Sequence, residues 1–129
     1  MKMIIAGSRT IEEHIAYGEC VKWRIENRDK EVTEVVSGTA KGVDRAGEEY
    51  AEYYDIPVKR FYPDWDQHGR AAGPIRNRQM AEYADCLLLI WDGSSRGSLS
   101  MKHEMERLGK PVYEVIVKPV KREPIKGYW

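Results

Sequence analysis

With 129 residues the chain has the length of one compact domain with a single core. Lys and Arg total 21, as do Asp and Glu, which removes the net basic field behind sequence-blind nucleic-acid or membrane-surface binding, so any anion site has to be local. A composition 42% hydrophobic and 33% charged excludes a disordered or fibrous chain; the longest apolar run, 86–91, is too short for a bilayer, and residues 1–6 lack signal-peptide features, so a cytoplasmic protein is expected.

Short apolar runs alternate with segments of helical spacing, the pattern of βα units around a parallel sheet. Residues 3–6 read as the first strand. Thr10-Ile11-Glu12-Glu13 reads as a capping box, and Ile11, Ile15, Cys20, Val21 and Ile25 form one apolar stripe of a helix running to Asn27. Residues 32–37 are the second strand. After Gly38-Thr39-Ala40-Lys41-Gly42, the residues Val43, Ala46, Gly47, Tyr50, Ala51 and Tyr54 fall on one face of a second helix. Residues 57–61 give a short third strand, followed by a loop over 63–69. Gly73-Pro74 opens the third helix, with Pro74 at the first helical position and the end at Tyr83-Ala84. Residues 86–91 are apolar on both faces, as the middle strand of a covered sheet must be. The 92–98 turn leads to a fourth helix ending at Leu108 and Gly109, before Pro111, and 112–117 form the fifth strand. The expectation is an α/β domain over 1–117, with five mainly parallel strands flanked by helices in three layers, and an extended tail over 118–129. Cys20 and Cys86 read as reduced core residues. Neither disulfide, metal nor cofactor is expected, because no Cys or His spacing matches one.

The strand-to-helix loops of a parallel sheet converge at its carboxyl edge, where ligands bind at the point of reversed strand order. Three of these loops are rich in small, hydroxylic and cationic residues: Gly7-Ser8-Arg9-Thr10, then Ser37-Gly38-Thr39-Ala40-Lys41-Gly42, then the turn holding Gly93, Ser94, Arg96, Gly97 and Ser98. Glycines admit close backbone approach, and helix N-terminal amides favour an anion. Arg9, Lys41, Arg76 and Arg96 lie at or just before predicted helix N-termini, where the helix dipole disfavours a cation. Their placement points to an anionic, phosphorylated ligand. No loop matches GxxxxGK[ST] or GxGxxG, which leaves a P-loop NTPase or a conventional dinucleotide site unsupported.

On the third helix, the stripe Gly73, Asn77, Met80, Ala81 and Ala84 turns Asn77 inward, where it needs either a loop backbone or the ligand as partner. Arg76 and Arg78 flank it on different faces. Arg76, read as an exposed first-turn residue with little packing, is the one expected in the cleft. Trp65 and Trp91 lie near the same edge and offer plates for a base, the alternatives being a loop cover and the core. His14, His68 and His103 lack partners at triad spacing, and no catalytic residue is assigned.

The strand-Gly7-Ser8-Arg9 start, the Ser37-to-Asp44 stretch, Gly69-Arg70-Ala71-Ala72-Gly73-Pro74-Ile75-Arg76-Asn77-Arg78 and the Gly97-Ser98 turn together resemble the YspA-like branch of the SLOG superfamily. That superfamily joins the DNA-processing protein DprA with the LOG phosphoribohydrolases. The resemblance covers about 2–115. It implies a Rossmann-like fold and a nucleotide or nucleotide-derived signal, ADP-ribose-like or a cyclic nucleotide, held by a sensor or sequestering protein in phage defence or anti-defence. LOG enzymes pair an arginine near the start of this helix with a glutamate after a Gly-Gly-x-Gly-Thr turn. Arg76 fits the arginine, but Ser100 and Met101 stand where the glutamate falls, and Glu104 is a turn too far. Binding is therefore expected over catalysis, since a missing general acid or base forfeits about 10²–10⁴-fold in rate. The alternatives are a LOG-like nucleoside 5′-monophosphate phosphoribohydrolase and a DprA-like DNA-binding module, the latter disfavoured by the zero net charge. The implied partner is a small nucleotide-derived molecule, with no membrane or nucleic acid, and a homo-oligomer is left open.

Overall fold

A computed structural model describes residues 1–118. Five strands, β1 (Lys2–Gly7), β2 (Glu34–Ser37), β3 (Val58–Arg60), β4 (Cys86–Trp91) and β5 (Val112–Ile116), form one sheet in the order β3-β2-β1-β4-β5. Every pairing is parallel, so the sheet is wholly rather than mainly so. The helices are α1 (Glu13–Glu26), α2 (Val43–Tyr53), α3 (Trp65–His68), α4 (Ala72–Tyr83) and α5 (Arg96–Arg107). This is a Rossmann-like α/β architecture.

Side chains alternate across a strand, and each inner strand is apolar on both faces. Met3, Ile5, Val35, Leu88 and Ile90 pack with Ala16, Cys20 and Trp23 of α1 and with Tyr50 of α2. Ile4, Ala6, Val36, Leu87 and Leu89 pack on the other face with Met80 of α4 and with Met101 and Met105 of α5. α2 lies especially close to β1, since a Cβ built at Gly47 would stand 2.7 Å from Ile5. Both cysteines are buried and free, and burial pushes their thiols up to about 12 at Cys20 and about 11 at Cys86.

Several boundaries differ from those read in the sequence. Residues 86–91 form β4 as expected, but β1 takes the middle of the sheet. α1 begins at Glu13, and its preceding residue, Glu12, makes no side-chain cap, so the capping box at Thr10 does not form. The core face of α1 is Ala16, Cys20 and Trp23, spaced by four and three residues, while Ile15 and Ile25 are 38% and 55% exposed. Trp23, the larger apolar group, takes the inward position and meets the Tyr113 ring edge-on at 5.3 Å. The loop expected over 63–69 contains α3, because the Asp64 carboxylate accepts the Gln67 amide at 3.1 Å and starts a turn there. A 3₁₀ turn, Gly69–Ala71, then runs directly into α4. Pro74 is therefore the third residue of that helix, still within the first turn where a missing N–H is tolerated. The tail expected over 118–129 lies, beyond Lys118, outside the described residues. Among those residues no helix is long and apolar enough to cross a membrane.

Candidate functional site

Strand order reverses at β1, with β2 on one side and β4 on the other, and a cleft of about 300 Å³ opens over the carboxyl ends of β1 and β4. Gly7 brings these ends together. A Cβ at that position would lie 1.6 Å from the Ile90 carbonyl oxygen, a contact that excludes any larger residue. The Ser8 amide donates to the same carbonyl at 3.2 Å, and the Asp92 amide donates to Ser8 Oγ at 3.0 Å. Ser8 Oγ is 3.0 Å from Ser95 Oγ, which donates to Ser98 Oγ at 2.7 Å. This chain of hydroxyls runs from the end of β1 into the first turn of α5.

The Asp92 carboxylate accepts the Ser94 and Ser95 amides at 2.9 Å each. Those bonds to the charged form hold its carboxyl below the usual carboxylate range. Ser95 precedes α5 without capping it, and Gly97 and Ser98 line the cleft, so the positive end of a twelve-residue helix meets the cavity with its opening amides uncapped.

α4 supplies another wall. Arg76 Nη1 donates to the Gly38 carbonyl, and Arg76 Nε donates to Asn77 Oδ1 at 3.1 Å. Asn77 Nδ2 in turn donates to the Gly97 carbonyl at 3.3 Å and to Ser100 Oγ at 3.4 Å. The inward asparagine thus finds its partners in the protein, on the neighbouring helix. Asp44 is buried beside Arg76 and accepts the Ala40 amide at 3.2 Å. Burial pushes the Asp44 carboxyl up to about 6, opposed by the Ala40 amide and by the Arg76 charge. Burial likewise lowers Arg76, Asp44 opposes that, and the charge of nearby Arg9 adds to it. Arg9 is exposed at the rim and makes no ion pair among the described residues. Asp44 and Asp92 line the same cavity as the two guanidinium groups; Asp44 sits against Arg76 and Asp92 is taken up by the Ser94 and Ser95 amides, which leaves Arg9 without an ion pair among the described residues.

Of the residues singled out from sequence, Gly7, Ser8, Arg9, Arg76, Asn77, Gly97 and Ser98 line this cleft. Arg76 stands one turn inside α4, half-buried, and is not the exposed first-turn residue expected. The early start of α4 at Ala72 is the reason. Ser37 is sealed, its hydroxyl donating to Glu48 Oε2 at 2.6 Å and accepting the Thr39 amide at 3.1 Å. Gly38 lies behind Arg76, where a Cβ would stand 2.8 Å from Asp44 Oδ2. Gly42 (φ 76°) packs the second loop on the first, a Cβ there falling 2.8 Å from the Ser8 carbonyl oxygen. Thr39 and Lys41 line a neighbouring groove. Ser94 and Arg96 are exposed beside the cleft and outside its lining.

Trp91 is no platform for a base. It is 5% exposed, packed in the α4 and α5 core, and its Nε1 donates to Glu114 Oε2 of β5 at 2.8 Å. Trp65, 51% exposed on α3, also stands outside the cleft lining. Ser100 Oγ serves Asn77, Met101 is buried, and Glu104 pairs with Arg107 at 3.0 Å and Arg78 at 3.6 Å. Sequence reasoning passed over Asp44, Asp92 and Ser95. Asp92 carried a signal, being the first polar residue after a wholly apolar strand; Asp44 carried one too, as a carboxylate beside the buried stripe of α2.

The sheet and its switch-point cleft place the chain among Rossmann-like α/β proteins. The model of the YspA, cpYpsA-related SLOG family matches residues 1–68, and the chain belongs to that family. The Gene 61 protein of Mycobacterium phage D29 is 27% identical over 124 residues, which are 92% of this chain and 98% of that protein. Among solved structures, DNA processing protein A (DprA) from Streptococcus pneumoniae superposes with a TM-score of 0.71 at 19% identity. That match covers 93% of this chain and 52% of the DprA chain, so the present chain spans about half the length of that neighbour, and the likeness is one of fold.

Proposed function

We propose that the chain binds a nucleotide or nucleotide-derived ligand, ADP-ribose-like or a cyclic nucleotide, with its phosphate in the cleft over β1 and β4. In this role it acts as a sensor or a sequestering protein. The observation that carries this is the convergence on one cavity of the uncapped α5 N-terminus, the Ser8, Ser95 and Ser98 hydroxyls and the guanidinium groups of Arg9 and Arg76. Membership of a SLOG family supports a nucleotide-related ligand. A LOG-type phosphoribohydrolase is the less favoured reading: at the expected glutamate positions Ser100 bonds to Asn77 and Met101 is buried, and Glu104 is held by arginines outside the cleft. A DNA-binding role on the DprA pattern has less support still, given a net charge of zero.

The test is calorimetric titration with AMP, adenosine, ADP-ribose and a panel of cyclic nucleotides. Phosphorylated ligands should bind and adenosine should bind far more weakly. Adenosine binding as tightly as every phosphorylated ligand overturns the anion-first reading.

A further inference from the structure

A second, broader groove of about 760 Å³ lies between α2 and β3, and Ala40 lines both it and the cleft, which makes the 38–42 loop their common wall. On the groove side of that wall is Thr39, whose φ of 66° is uncommon for a β-branched residue, with its hydroxyl donating to the Gly38 carbonyl at 2.6 Å. Lys41, exposed on the same loop, makes no ion pair among the described residues. Tyr62, 70% exposed, stands in the lining of the groove. Three glutamates line it as well. Glu48 is occupied by Ser37 and by Arg60 at 2.9 Å, Glu49 faces Arg45 at 3.7 Å, and Glu52 has no ion-pair partner among the described residues.

The two cavities differ in what they accept. The cleft has helix amides and arginines for an anion, but with Trp91 sealed and Trp65 outside, it has no open aromatic face. The groove has that face in Tyr62, and with Glu48 and Glu49 paired to Arg60 and Arg45, Glu52 is left to accept an N–H donor of a heterocycle. A nucleotide has one end of each kind. We propose that the groove receives the base of the ligand whose phosphate occupies the cleft, with the sugar crossing the 38–42 loop beside Lys41 and the base stacked on Tyr62. This rests on the phosphate-first reading of the cleft.

The experiment titrates ribose 5-phosphate and AMP into the wild type, Tyr62→Phe and Tyr62→Ala. Stacking on one aromatic ring predicts that AMP binds at least about fivefold tighter than ribose 5-phosphate in the first two. Tyr62→Ala should erase that gain and leave ribose 5-phosphate unchanged, because an exposed ring contributes little to the fold. Equal binding of the two ligands by the wild type, or an AMP preference that survives Tyr62→Ala, overturns the groove assignment alone and leaves the cleft reading standing. If neither ligand binds, the cleft reading fails and takes this one with it.

Discussion

Arg76 and Arg9 reach the same cleft from different walls, one half-buried on α4 and tied to Gly38 and Asn77, the other at the exposed rim with no ion pair among the described residues. Both carry the charge an anion needs, yet they differ in what else depends on them. Arg76 lies beside a buried carboxylate and helps hold the second loop, so its loss reaches the fold as well as the cleft. Arg9 contributes field and little else. A cation that looks equivalent in sequence can thus be part of the frame or only part of the surface.

Arg76→Ala is the harshest way to break this contrast. It should lower stability by about 2–3 kcal/mol in chemical denaturation, since the Gly38 carbonyl loses its donor and Asp44 its compensating charge. It should also weaken phosphate-dependent binding by about 1.5–3 kcal/mol. An unchanged denaturation midpoint would place Arg76 on the surface with Arg9.

Asp44→Asn sharpens the framing side of the comparison through pH. Burial raises the Asp44 carboxyl from 3.8 to about 6, so the folded state binds this proton more tightly than the unfolded chain does. Its contribution is fully present below about pH 4 and is lost as pH rises through about 6, on the order of 3 kcal/mol across that window. The variant should lack this downward slope, and the difference between the two stability-versus-pH curves isolates it from other carboxylates. Parallel curves from pH 4 to 7 would remove Asp44 from the buried network.

Arg9→Gln should leave the melting temperature unchanged, weaken AMP binding by about 0.5–1 kcal/mol and reduce its salt dependence. A drop in melting temperature would show that Arg9 is built into the frame after all. The smallest expected signal is from catalysis: wild-type protein should release no free base from nucleoside monophosphates above background, with Arg78→Ala matching it in binding as well. Base release that disappears in Arg76→Ala would overturn the binding-only reading.

The sheet was legible because inner parallel strands must be apolar on both faces, and residues 86–91 could be nothing else. α2 was legible from its stripe of Val43, Ala46, Gly47, Tyr50 and Ala51, all buried. α1 was harder, since isoleucines and Trp23 compete for one face and only packing against Tyr113 decides the rotation. In the site, the loops at the carboxyl edge were readable from their composition, and Gly7, Ser8, Gly97 and Ser98 do line one cavity. Trp91 misled for a tertiary reason. A residue at the end of a strand reads as close to the edge, but the ring is buried in the core that α4 and α5 share, Lys102 Nζ of α5 lies 5.9 Å from its centre, and Glu114 takes its N–H. The stripe of α2 hints at the burial of Asp44, but its pairing with Arg76 was not legible, because that depends on α4 arriving from far along the chain.

β2 and β4 never touch, since β1 separates them. Yet an unbroken run of hydrogen bonds passes from Gly38, just after β2, through Arg76 and Asn77 to Gly97 at the start of α5. Two adjacent residues of α4 thereby tie the loop after β2 to the start of α5, bridging the strand that lies between them. A ligand oxygen reaching for Arg76 Nη1 would therefore compete with the Gly38 carbonyl for one donor, whereas the bonds from Asn77 Nδ2 to Gly97 and Ser100 do not draw on that guanidinium.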